Sequence, residues 1–182
     1  MRRPVDPQLE VIGSSILGIV QNIQQDEIRP FILKHRLHEV DPETWYPLTS
    51  FLGVLNEIGE APGGMSNLVA VGMAQIDSLA QDLPPEMKGA PLITFFHLWD
   101  TLYHQIHRNG EIGSVKAEQV SPRHIRTVHD HFYPDDLSYG VAYGLTKHFL
   151  IPKSHFIVSY DPHTKRMDEG GDLTIIDIKW EG

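Results

Sequence analysis

The sequence predicts an α+β fold: a helical N-terminal part packed on a mostly antiparallel four-stranded sheet that one helix crosses. Three observations lead there. Apolar residues in the first half recur at three- and four-residue spacing, the period of amphipathic helices. Past Asn109-Gly110 the pattern shortens to alternating runs bounded by turn residues, the mark of strands. Between the second and third of those runs, Tyr133-Pro134-Asp135-Asp136 opens a stretch of helical spacing that continues to Phe149. The 182 residues read as a single domain, with a helical part over 1–110 and a β-β-α-β-β part over 111–182. A chain of this length buries roughly 70% of its unfolded surface, enough for a core.

The elements follow in order. Leu9, Ile12, Ile16, Ile19, Val20 and Ile23 predict a helix over 9–23, and a shorter one follows over 26–36. Asp41 as N-cap and Pro42 in the first turn predict a helix over 42–58, kinked at Pro47 and ended by Gly59 and Pro62-Gly63-Gly64. Ser66 caps a helix over 66–83 that Pro84-Pro85 stops. Pro91 opens a helix over 91–108, closed by Asn109-Gly110. Strands are predicted over 115–120 and 125–132, joined by Ser121-Pro122-Arg123. After the helix that follows Pro134 come a strand over 155–160, a solvated hairpin loop over 161–171, and a last strand over 173–180.

Composition narrows the function. The net charge of −9 argues against nonspecific binding to nucleic acid or an anionic membrane, and only Met1-Arg2-Arg3 is basic. The chain has no cysteine, which excludes disulfides, thiolate nucleophiles and Cys-ligated metal sites and fits a cytoplasmic location. No signal peptide, membrane span, phosphate loop, dinucleotide fingerprint or zincin motif is present in the sequence. No Ser-His-Asp order, paired catalytic carboxylates or nucleophile elbow can be named, so an enzyme is the weakest class.

Three segments carry candidate chemistry. On the helix over 91–108, Leu92, Phe95, Phe96, Trp99, Leu102, Tyr103 and Ile106 form a broad apolar face. His97, Asp100, Thr101, His104 and Arg108 lie opposite, and His107 lies at the margin. His107 or His104 against that aromatic surface suits an axial ligand of haem iron. The ordinary alternative is a helix-end histidine favoured by the C-terminal dipole. The His104/His107 pair has no third ligand, so no metal site is assigned. In the helix after Pro134, Gly140 and Gly144 are four apart, as are Tyr139 and Tyr143. Each interior glycine costs about 1 kcal/mol against alanine, so something must approach closely there. Either the helix packs tightly on the sheet, or a ligand lies between it and the N-terminal helices with the tyrosines offering ring and hydroxyl. On the second strand, alternation puts His129 and His131 on one face with Ile125 and Thr127, and His124, Val128 and Phe132 on the other. These strand histidines are expected to be solvated. Asp135 and Asp136 are expected to cap and charge a helix start, and the loop over 161–172 matches no calcium-loop spacing.

The segments Trp99-Asp100-Thr101-Leu102-Tyr103-His104-Gln105-Ile106-His107-Arg108-Asn109-Gly110-Glu111-Ile112-Gly113, Tyr133-Pro134-Asp135-Asp136-Leu137-Ser138-Tyr139-Gly140 and Gly170-Gly171-Asp172 before a strand ending in Trp180 carry a resemblance. Over about residues 92–182 the chain resembles bacterial sensor-type domains related to the haem–nitric-oxide/oxygen-binding and the 4-vinyl reductase (hydrocarbon-binding) domains. The resemblance implies an antiparallel sheet crossed by one helix, covered by N-terminal helices, with a ligand cavity between. In the haem-binding branch it implies a proximal histidine, for which His107, and less well His104, is placed. That branch grips the haem propionates with Tyr-x-Ser-x-Arg, whereas here residues 129–134 occupy the region without that motif. The metal-binding cysteines of the vinyl-reductase branch are absent as well.

The resulting expectation is a non-catalytic sensor domain for a small apolar or aromatic molecule, held between helical part and sheet by Phe96, Trp99, Tyr103, His107, Tyr139 and Tyr143. The first alternative is a haem-based sensor of NO or O2 with His107 or His104 as cofactor ligand. The second is a homodimeric structural module without ligand. The expected partners are the small ligand and a separate output protein, with no nucleic acid or membrane.

Overall fold

The computed structural model describes residues 4–20, 25–82, 84, 87 and 89–182. Among these the chain runs β1 (Glu10–Ile12), α1 (Gly13–Val20), α2 (Gln25–Lys34), β2 (Trp45–Pro47), α3 (Leu48–Glu60), α4 (Gly64–Asp82), α5 (Leu92–Gln105), β3 (His107–Arg108), β4 (Ser114–Ser121), β5 (His124–Asp130), α6 (Asp135–Phe149), β6 (Phe156–Tyr160) and β7 (Thr174–Trp180). The architecture is α+β, as the sequence pattern predicts. The large sheet is antiparallel in the order β4-β5-β7-β6, and α6 connects β5 to β6. Among the described residues no helix is long and apolar enough to cross a membrane.

A second, three-stranded antiparallel sheet, β2-β1-β3, corrects three helix expectations. Residues 10–12 of the predicted 9–23 helix are strand, because Val11 pairs with both Tyr46 and His107 and tertiary pairing outweighs a helical apolar period. The end of that predicted helix at Ile23 lies outside the described residues, as do Leu83 and Pro85 at the predicted stop after α4. The predicted 42–58 helix begins only at Leu48. Asp41 instead accepts the Glu43 N–H at 2.8 Å in a local turn, and Pro47 stands at the cap of α3 rather than kinking it. The predicted 91–108 helix stops at Gln105, and His107–Arg108 turns into β3. Arg108 fixes that turn with its Nε 2.6 Å from Glu10 Oε2 and its guanidinium 4.4 Å over the Trp45 ring. The helix expected to start at Ser66 begins at Gly64.

The glycines of α6 meet a helix, neither the sheet nor a ligand gap. A Cβ on Gly140 would run into the Val69 carbonyl of α4, one on Gly72 into the Leu137 carbonyl of α6, and one on Gly144 would come within 3.0 Å of Ile76 Cβ. The two backbones thus touch directly, as only glycine permits. The other side of α6 carries Tyr139 and Tyr143 onto the sheet, where Tyr139 donates to the Val158 carbonyl at 2.9 Å and Tyr143 packs on Phe156.

The 161–171 loop is docked rather than solvated. Met167 is buried in a short 3-10 turn, Met167–Glu169. Asp168 accepts the Asp135 N–H at 2.7 Å, and Asp135 accepts the Asp168 N–H at 2.9 Å and the Thr174 hydroxyl at 2.7 Å. The α6 start is therefore capped in trans by Asp168. Asp135, expected to cap the helix itself, is fully buried as the pin that holds this loop to β7. The core forms two clusters, one around α1, α3 and the Tyr103/Tyr133 region, the other between α5, α6 and the large sheet.

Gly140→Ala is expected to destabilise by about 2–4 kcal/mol, because backbone must move to admit the methyl. Gly18→Ala, whose new Cβ meets nothing within 4 Å, is expected to be neutral or to stabilise by up to about 1 kcal/mol. Urea unfolding of the two variants measures the contrast.

Candidate functional site

The two clusters meet where α5, the end of β5 and the first turns of α6 converge. Trp99 and Tyr103, one turn apart on α5, face His131 and Tyr133, which follow β5, and Leu137, Ser138 and Val141 of α6. Phe51 of α3, Gln75 of α4, Ser15, Ile106 and Val115 close a cavity of about 50 Å³. That holds a few water-sized groups and is well below the roughly 300–1,000 Å³ of drug-sized ligand sites.

His107 lies just behind this cavity, nearly inaccessible to solvent. Its Nδ1 is 2.6 Å from the Tyr103 carbonyl, which can only accept, so Nδ1 carries the proton. Nε2 therefore accepts from the Tyr133 hydroxyl at 2.8 Å. Desolvation lowers the His107 pKa to about 4, and burial pushes the Tyr133 hydroxyl well above its ordinary range. A neutral imidazole and a protonated phenol are the forms this bond needs. Tyr103 packs on the His107 ring with centroids 4.6 Å apart and donates its hydroxyl to the Ile112 carbonyl at 2.7 Å.

A second polar chain runs along the sheet side. Thr127 Oγ1 lies 2.9 Å from His129 Nε2, His129 Nδ1 lies 3.2 Å from His131 Nε2, and that nitrogen lies 3.1 Å from Ser138 Oγ. All four residues are buried, against the expectation of solvated strand histidines. The predicted alternation holds, but the face shared with Ile125 is the one the helices cover. Burial alone lowers the His129 pKa to about 4.

The sequence-derived residues divide into groups. Trp99 and Tyr103 line the cavity, and His107 adjoins it through both tyrosines. Phe96 is buried in the sheet-side cluster, and Tyr139 and Tyr143 face β6. His104 is half-exposed near Asp100. Sequence reasoning does not single out Tyr133 or Ser138. A polar residue a few positions beyond the β5 histidines, at the first turn of a glycine-bearing helix, is the available signal. Among the described residues no group of three His, Cys, Asp or Glu side chains is arranged to hold a metal ion.

Solved structures with this arrangement of elements exist. The chain superposes on an oxygen-binding H-NOX domain related to soluble guanylate cyclases, in its oxygen complex, with TM-score 0.67 at 16% identity over 93% of each chain. It superposes on an H-NOX protein from S. oneidensis in the Fe(II)NO ligation state with TM-score 0.68 at 12% identity, over 94% of this chain and 99% of that one. A third match, a mutant of the T. tengcongensis H-NOX, has TM-score 0.66 at 16% identity over 93% of this chain and 95% of that one. The fold is that of the haem–nitric-oxide/oxygen-binding domains. No protein-family model and no curated protein matches the sequence.

Haem fits the interior poorly. The cavity is far smaller than a porphyrin, and the rings of Tyr103, Tyr133 and His131 stand in it. Among the described residues none that lines it is Arg or Lys, the side chains that pair with propionates. His107 Nε2, the atom that would reach iron, is engaged by Tyr133.

The His107 and His129 shifts are both downward, so the unfolded chain takes up protons first as pH falls. The stability they confer is complete above pH 6.5 and is lost as pH falls from there toward about 4, by up to about 3 kcal/mol for each group. Urea midpoints are expected to drop between about pH 7.5 and 5, and His107→Gln is expected to flatten that slope.

Proposed function

We propose that the chain is a non-catalytic sensor domain for a small molecule, built on the H-NOX fold without haem as its resident group. The ligand enters the cavity between Trp99, Tyr103, His131, Tyr133 and Ser138, with His107 behind it. The single observation that supports this best is a pocket walled by aromatic rings and uncharged polar groups at the junction of the helical part and the sheet. Phe96, Tyr139 and Tyr143 serve as packing that holds the walls apart. Binding biases the domain through Tyr133, which lines the cavity and is held from behind by His107, since a ligand shifts an equilibrium only by its preference for one state. A separate output protein is the proposed reader of that shift.

A haem-based gas sensor is the second reading, and the likeness in fold to the H-NOX domains speaks for it. One local observation does too. A histidine whose Nδ1–H is fixed on a backbone carbonyl presents Nε2 as a metal ligand does, and His107 is so fixed on Tyr103. For it to hold, Tyr133 must swing away and the cavity must open.

Haem titration followed by absorption, with native mass spectrometry of the purified chain, separates the two. The expected result is no Soret shift that depends on His107, together with a small-molecule mass retained or gained by the native chain and lost on Trp99→Ala. A shifted Soret band that disappears in His107→Ala establishes the haem reading instead. A chain that never carries any small molecule overturns both.

A further inference from the structure

Eight of the twelve residues that line the cavity are buried, and four, Ser15, Gln75, Trp99 and Ile106, are half-buried. A cavity reaches solvent only past lining residues that solvent also touches, so its entrance lies among these four. The buried wall is tied in place. Tyr103 donates to the Ile112 carbonyl at 2.7 Å, and Tyr133 bonds His107 at 2.8 Å. Ser138 Oγ lies 3.1 Å from His131 Nε2, and Phe51 meets Tyr133 edge to face with centroids 6.1 Å apart. A guest passing through that wall would have to break several buried contacts at once.

The four rim residues are not equally free. Ile106 is fixed through its backbone, whose N–H bonds the Leu102 carbonyl and whose carbonyl accepts the Ile12 N–H, both at 3.0 Å. Ser15 is too short to span an opening. Gln75 and Trp99 are long, and among the described residues no hydrogen bond or aromatic pair holds either side chain. The helix that carries Gln75 cannot draw back to make way. Gly72 and Ile76 flank Gln75, and both touch α6: a Cβ on Gly72 would stand 2.3 Å from the Leu137 carbonyl oxygen, and one on Gly144 3.0 Å from Ile76 Cβ. Moving α4 would open that backbone contact along its length, whereas turning the Gln75 side chain costs one rotamer change. Half-exposed side chains make such changes in picoseconds to nanoseconds.

We infer that Gln75 is the gate of this cavity, and that guests enter past its amide and the Trp99 ring when the Gln75 side chain rotates while the helices stay still. This rests on the small-molecule-sensor reading above and names the residue that controls access to that same site. Neither Gln75 nor Trp99 is charged, so the gate sorts guests by cross-section rather than by electrostatic steering. It sets how fast the cavity fills and empties, and the tied wall behind it sets how well a guest is held.

Xenon under pressure is the probe, because it is a single uncharged atom of the kind that internal cavities take up. In NMR spectra of the full chain its entry is expected to shift the methyl signals of Leu137 and Val141, which line the cavity, and the exchange broadening of those signals gives the rates of entry and exit. Gln75→Ala is expected to raise both rates together by about tenfold, and Gln75→Phe, which sets a bulky ring at the same place, to lower both together. Gln75 is half-buried, so neither substitution takes a side chain out of the core. Rates that keep the wild-type value in both variants, or a dissociation constant that changes while the entry rate does not, would overturn the gate and leave the cavity standing. Xenon that shifts neither methyl signal in the unmodified chain would overturn the sensor pocket itself, and the gate with it.

Discussion

A neutral imidazole in a protein interior must find a partner for each of its nitrogens, and the hydrogen bond between His107 and Tyr133 is the half of that requirement that joins distant parts of the chain. The other half, to the Tyr103 carbonyl, is local to the end of α5. Together they explain why α5 cannot continue to Arg108. The ring points inward only if the backbone leaves the helix at Ile106 and enters β3, and β3 then pairs with β1, which pairs with β2. One buried side chain thereby ties the small sheet, α5 and the exit of β5 to one point.

The remainder of the site is arranged around that point. Tyr133 directly precedes Pro134 and the trans-capped start of α6, so the Asp135–Asp168–Thr174 contacts that anchor the 161–171 loop also fix the phenol that faces His107. Beside the cavity, direct backbone contact between α6 and α4 at Gly72 and Gly140 leaves little freedom for the helix to slide. The cavity's walls are held by these contacts from outside and by the ring contacts among Phe51, Tyr103, His131 and Tyr133. The same contacts explain the poor fit of a porphyrin on a fold shared with haem–nitric-oxide/oxygen-binding domains. The cavity is lined by the protein's own rings, and His107 Nε2 is engaged by a phenol.

Much of the fold was legible from the chain itself. The strand–strand–helix–strand–strand order after Asn109, the α6 span and the buried face of α5 follow from periodicity and punctuation, because each is an amphipathic element packing on one side. The small sheet was not legible. Its strands are two or three residues long and lie within stretches whose apolar spacing also fits a helix, so only the long-range pairing of Val11 with Tyr46 and His107 decides them. The site was legible in part. Trp99, Tyr103 and His107 stood out as an aromatic stripe with a histidine at its edge. Tyr133 and Ser138 did not, because their roles depend on where α6 starts, and His131, visible as a strand histidine, reads as solvated unless the face of β5 that the helices cover is known. Asp135 looked like an ordinary helix-start carboxylate, and nothing local reveals that a loop more than thirty residues away closes over it.

The central claim is that His107 is an uncharged, Nδ1-protonated imidazole whose Nε2 lone pair is taken by the Tyr133 hydroxyl. Nitrogen-15 NMR of the histidine rings at neutral pH reads this directly. The expected spectrum shows His107 with a protonated Nδ1 and a hydrogen-bonded, unprotonated Nε2, the latter moving to the free-imidazole position in Tyr133→Phe. A charged ring, a proton on Nε2, or an Nε2 signal indifferent to the loss of the Tyr133 hydroxyl would contradict the account.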